Sequence, residues 1–112
     1  MYKRQPLQEW YLITIDENNV HLDVAPPGED AWTDSFSWDS VDRICFKDEG
    51  PYSSDLYYVF VNGRPESYVI PVEASGGEEF VEKVLARNLF DKKLFTKAMR
   101  ETDGAMYCWP EE

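Results

Sequence analysis

The apolar residues of this chain change period near Ser75, and no other feature constrains the fold as tightly. Before Ser75 they alternate with polar residues. After it they recur three and four positions apart. A period of two sends alternate side chains to opposite faces of a strand, whereas a period near 3.6 lines one face of a helix. The chain therefore reads as strands first and helices second. Strands grouped ahead of helices indicate an α+β domain rather than a doubly wound parallel sheet.

The individual runs give the elements. Tyr11, Ile13 and Ile15 share a face in 10–15, and Val20, Leu22 and Val24 share one in the next run, with His21 and Asp23 opposite. The polar cluster Asp16-Glu-Asn-Asn19 between them completes a β-hairpin. Pro26-Pro-Gly28 ends the second strand, because proline cannot donate to a ladder. A third strand is expected over 32–38, with Trp32, Phe36 and Trp38 on one face. A fourth is expected over 41–47, where Ile44 and Phe46 share a face with Asp42. The run 56–61 is apolar or aromatic on both faces and reads as a central, doubly covered strand. Asn62-Gly63 suits a hairpin turn, with the loop extended by Arg64 and Pro65, and 66–72 is the return strand.

Ser75-Gly-Gly-Glu78 then matches a capping box, in which the serine oxygen accepts a helical N–H and the glutamate reaches back. Phe80, Val81, Val84, Leu85 and Leu89 follow at helical spacing, with Asn88 as the end. Asp91 can cap a second short helix bearing Leu94, Phe95, Ala98 and Met99. Thr102-Asp-Gly104 stops it, and 106–109 is a last short strand.

A chain of 112 residues fits a single domain, 1–112, and its 43% hydrophobic and 15% aromatic content can build a core. The expected architecture is a strongly bent, mainly antiparallel sheet or half-barrel of six to seven strands. Two short helices near the C-terminus plug it.

Twenty-two acids oppose 11 Lys and Arg, a formal net charge of −11. Phosphate backbones and anionic membranes repel such a chain, so direct nucleic-acid and membrane binding are not expected. The excess belongs to the strand region. Glu29, Asp30, Asp34 and Asp39 surround the third strand, and Asp48, Glu49 and Asp55 occupy one loop. Trp32, Trp38 and Tyr52 are interspersed. Acids with aromatic anchors suit docking on a basic protein surface. Glu29, Asp30, Trp32, Asp34, Asp39, Asp48, Glu49, Tyr52 and Asp55 are therefore the candidate partner-binding residues. A solvated sheet face with core tryptophans explains the same pattern without a partner.

Catalytic signatures are missing. His21, the single histidine, lies on the polar face of a hairpin, far in sequence from either cysteine, and reads as a surface residue. The stretch 16–23 starts like a calcium loop but places Val20 at a ligand position and His21 where glycine should turn the chain. The cysteines lack Cys-x-x-Cys spacing, and Gly76-Gly77 lacks the lysine of a phosphate loop. No metal or other cofactor is expected. Carboxylate pairs stay open, since 22 acids place some close together whatever the function.

No apolar run approaches the roughly 18 residues of a membrane span, and the N-terminus has no apolar segment of a signal peptide. A cytoplasmic protein is expected. Two buried free thiols at Cys45 and Cys108 fit that setting. A disulfide between them requires their strands to be neighbours.

Three stretches carry a resemblance. Trp38-Asp-Ser-Val-Asp-Arg-Ile44 resembles the Trp-x-x-Ile/Val-x-x-Ile lead into the fourth strand of bacterial pleckstrin-homology-like proteins. Asp48-Glu-Gly-Pro51 with Asp55, Tyr57-Tyr-Val59 and Ile70-Pro71 is similar to a family of small uncharacterised bacterial proteins. Leu89-Phe-Asp91, Met99 and the Cys108-x-Trp-like ending fit the same family. The resemblance implies a bacterial cytoplasmic protein with a PH-like half-barrel, and it implies no activity. A final strand and two short helices depart from the PH-like pattern. The function expected from the residues is a non-catalytic protein-interaction module of immunity or regulatory type. The alternative is a small-ligand binder or enzyme using an aromatic-lined pocket.

Overall fold

Every strand run finds an apolar layer to face, and together they make two sheets. The computed structural model describes residues 6–49, 54–100 and 104–110. A short helix α1 (Leu7–Trp10) precedes β1 (Tyr11–Ile15), β2 (Asn19–Val24) and β3 (Trp32–Ser37). A single 3-10 turn (Trp38–Ser40) leads into β4 (Val41–Lys47), β5 (Leu56–Val61) and β6 (Tyr68–Pro71). Then come α2 (Gly77–Ala86), α3 (Lys92–Arg100) and β7 (Met106–Trp109). The class is α+β, with most of the helix after the strands. The first sheet has the order β1-β2-β3 and the second β6-β5-β4-β7, all antiparallel. Among the described residues the two sheets do not close into a barrel.

Alternation places the core of the first sheet as expected. Val20, Leu22 and Val24 are 2% exposed or less, with Tyr11 and Ile13 beside them. Each such side chain contributes about 1.5–3 kcal/mol by leaving water. Phe36 stacks on Tyr68 with ring centroids 4.9 Å apart, which joins β3 to β6. The buried Tyr11 hydroxyl donates to the Val69 carbonyl at 2.7 Å and joins β1 to β6. Burial pushes that phenol well above its ordinary pKa, since the phenolate would lose its hydration. Trp38 stacks on Phe80 of α2 and donates through Nε1 to the Asp16 carbonyl.

Several elements differ from simple alternation. The β4–β5 register jumps between Val41 and Arg43, so Asp42 falls in a bulge and leaves the face of Ile44 and Phe46. Strand β5 is central in its sheet but covered on one face only. Tyr57, Val59 and Val61 are buried, while Phe60 is 37% exposed. Trp32 keeps the face of Phe36, opposite the buried Val24, but is 42% exposed because it opens an edge strand. Gly63 has a positive φ but Asn62 does not, so the β5–β6 hairpin has a longer loop than a two-residue type I′ turn.

The capping box does not form. Ser75 is used as a strand residue: its carbonyl accepts from Ile13 N–H at 2.8 Å and its N–H donates to the Tyr11 carbonyl at 3.0 Å. Gly76, with φ +87°, is the N-cap instead, and no side chain caps the helix there. At its other end α2 closes on Asn88, the one described non-glycine residue with positive φ. Asn88 N–H donates to Leu85 and Leu89 N–H to Val84, the paired bonds of a Schellman motif. Asp91 caps α3 as expected, its Oδ2 accepting from Leu94 N–H at 2.9 Å. Ala98 is buried on the apolar stripe of α3, whereas Met99 is 46% exposed.

The cysteines are not free. Strand β7 returns after the helices to pair with β4, and Cys45 lies directly opposite Cys108 in that register. The two form a disulfide that closes a separation of 63 residues.

Candidate functional site

The nine candidate residues separate into groups. Glu29 and Asp30 lie exposed in the β2–β3 connection, where Glu29 N–H closes a turn onto the Pro26 carbonyl. Trp32 and Asp34 follow on β3. These four form one continuous margin of the first sheet. Asp39 is exposed in the 3-10 turn beyond the other end of β3, about 20 Å along at 3.3 Å per residue. Asp48 and Glu49 follow β4, and Asp55 precedes β5, so they belong to the second sheet. Tyr52 lies outside the described residues.

Within the first group the side chains are held. Trp32 packs edge-on against Tyr11, with ring centroids 6.3 Å apart, over the buried Val24. Asp34 Oδ1 accepts from Ser35 N–H at 2.8 Å. Its carboxylate also takes the Tyr68 hydroxyl. Burial first, then that hydrogen bond and the charge of Asp34, push the Tyr68 phenol up, while the Arg64 cation opposes them. Arg64 covers the same ring with its guanidinium 3.9 Å from the centroid. Asp34 is thus set by its neighbours rather than swinging free.

The second group is internally coupled. Asp55 accepts from Glu49 N–H at 3.0 Å. Burial pushes its carboxyl up, the Glu49 N–H pulls it back, and Asp48 and Glu73 push it up again. Asp48 accepts from Gly104 N–H, and Lys47 donates to the Gly104 carbonyl, so this loop also holds the start of β7.

One pair escaped the sequence reading. His21 Nε2 lies 2.8 Å from Asp16 Oδ2, across the β1–β2 turn. Asp16 Oδ1 also accepts from the N–H groups of Asn18 and Asn19. The His21 hydrogen bond, then these two, hold the Asp16 carboxyl down at about 2. The legible signal was Asp16 followed by Asn18 and Asn19, an Asx-turn composition. The pair orders a turn. Both cysteines are consumed by the disulfide, so neither offers a thiolate beside it. Among the described residues no three His, Cys, Asp or Glu side chains are placed to hold a metal ion.

A wider pattern becomes visible once the sheets are known. Residues 5–42 contain nine carboxylates and neither lysine nor arginine. That span includes all of β1, β2 and β3, so every strand of the first sheet lies in it. Two cations reach it from other elements, Arg64 over the Tyr68 ring beside Asp34 and Arg87 at the Glu17 carbonyl, while α3 carries Lys92, Lys93, Lys97 and Arg100 with no acid among its nine residues. No protein-family model, curated protein or solved structure matches this chain.

Proposed function

We propose that this domain is a non-catalytic protein-interaction module that docks its first sheet on a basic protein surface. The absence of Lys and Arg from the whole of that sheet carries the reading. Surfaces whose charge has no interaction role usually intersperse both signs, and a sheet of one sign attracts a partner of the other. Glu29, Asp30 and Asp34 supply the charge, and the half-exposed Trp32 supplies an aromatic anchor beside them. Asp39 extends the same field at the far end of β3. Asp48, Glu49 and Asp55 belong to the other sheet and act on this interface only at long range.

A PH-like origin is compatible with three- and four-stranded antiparallel sheets followed by helices, and β7 and the pair of short helices α2 and α3 are the departures. The disulfide favours an oxidising compartment over the cytoplasmic placement expected from the sequence. Thiol alkylation and mass spectrometry of the protein taken from its host tests this. Alkylation of Cys45 and Cys108 without prior reduction would restore the cytoplasmic reading.

Capture from a host extract at low and high salt tests the interaction. The expected result is a partner retained at low salt and released at high salt. Retention that ignores salt would count against an electrostatic interface. No helix among the described residues is long and apolar enough to cross a membrane.

A further inference from the structure

Proteins usually blunt the open edges of their sheets, because an unpaired row of N–H and C=O groups invites another strand. Three of the four edges here are short or covered. β1 is covered by the segment that ends at Ser75. β6 has four residues and ends at Pro71, and the Val69 carbonyl is already taken by Tyr11. β7 has four residues and runs into Pro110. β3 differs. It has six residues with no proline, its pairing with β2 is continuous from Trp32 to Ser37, and among the described residues no strand lies beyond it.

The backbone direction is also given. Ser35 N–H donates to its neighbour Asp34 rather than across the ladder, so the backbone groups of Ser35 face away from β2. In an antiparallel strand this direction alternates, so those of Thr33 face the same way. Both residues are exposed.

We infer that the free edge of β3 accepts an extended segment of a basic partner as a fourth strand of the first sheet. This inference rests on the interaction-module reading above and adds its mode. Main-chain hydrogen bonds at Thr33 and Ser35 would supply affinity, and alternate side chains of the added strand would supply specificity. On pairing, Ser35 N–H turns from Asp34 to a carbonyl of the incoming strand. The Asp34 carboxylate is then open to a lysine or arginine of that strand. A second copy of this chain fits poorly, because pairing Thr33 of one β3 with Ser35 of the other places Asp34 against Asp34 and Asp39 against Glu29, with no Lys or Arg in either first sheet.

A peptide alternating lysine with valine is the probe, and the same peptide with glutamate for lysine is the control. The readout is amide hydrogen exchange at Thr33 and Ser35, with binding followed by Trp32 fluorescence. The lysine peptide is expected to slow exchange at both amides about tenfold, and Ser35→Pro to weaken binding about tenfold. Proline at an edge position facing solvent is tolerated, and circular dichroism checks the fold. Thr33→Pro serves if Ser35→Pro does not fold.

Lysine-peptide binding that protects neither amide and ignores the proline would overturn strand addition while leaving the acidic interface standing. No binding by the lysine peptide, with salt-sensitive capture of a basic partner intact, would likewise overturn strand addition alone. Loss of both would overturn the interaction reading too. A dimer seen by light scattering and abolished by Ser35→Pro would make the occupant a second copy and overturn the basic partner.

Discussion

Gly76 and Gly77 fix how the helical layer joins the first sheet. A Cβ at Gly76 would lie 2.2 Å from the Ile13 carbonyl oxygen, and one at Gly77 would lie 2.4 Å from that of Val72. Gly76 also has a positive φ. Gly76→Ala is therefore expected to cost roughly 2–4 kcal/mol in urea unfolding, through clash and left-handed strain together. Gly63→Ala is the comparison: its φ is +85° but its surroundings are open, so about 1 kcal/mol is expected. The Ser75-Gly-Gly-Glu78 pattern predicts a helix start at the right place for the wrong reason. Sequence shows a serine that can cap, but not the strand β1 that claims its backbone first. Asp16 sets a second test. Its carboxyl is held down at about 2, so the folded state keeps it ionised where the unfolded chain takes up a proton. Stability from this group is present above the ordinary carboxyl range near 4 and is lost as pH falls toward 2. Asp16→Asn should flatten that part of a stability-against-pH curve measured by chemical unfolding.

At the scale of elements, local signals were read well and distant ones were not. Asp91 caps α3 and Asn88 closes α2, because both devices lie within a few residues of their targets. Asp91→Ala is expected to cost about 1 kcal/mol in thermal or urea unfolding. The β1–β2 and β5–β6 hairpins are local in the same sense. The β4–β7 pairing spans the chain, and neither run of residues names its partner. The fate of Cys45 and Cys108 was illegible for that reason. Their disulfide tethers a four-residue terminal strand to the second sheet. Reduction should cost about 4 kcal/mol for a loop of 63 residues, read as a lower denaturant midpoint with reductant. An unchanged midpoint would show that β7 adds little to the folded state. The pattern of β5 misled in another way: apolar residues on both faces indicated two covering layers, whereas one face packs and Phe60 on the other stays 37% exposed.

Across the whole molecule, the acidic excess is heaviest in the first sheet. The first sheet and its connections have no Lys or Arg, and the exposed side of α3 carries four cations. Net charge was plain in the sequence, and so was its concentration in the strand region. That its largest share falls in one sheet was not, because that needs the boundary between sheets after β3. The same boundary divides the candidates, leaving Glu29, Asp30, Trp32 and Asp34 together and setting Asp48, Glu49 and Asp55 apart. If the first sheet is the docking surface, the position of its acids and not total charge governs binding. The most direct test compares two variants of matched charge for retention of a host partner at low salt. One is Glu29→Gln, Asp30→Asn and Asp34→Asn; the other is Glu78→Gln, Glu79→Gln and Glu82→Gln on α2. The first should weaken retention about tenfold or more, and the second should leave it unchanged. Equal losses in both would show that net charge alone governs binding and would overturn docking through the first sheet.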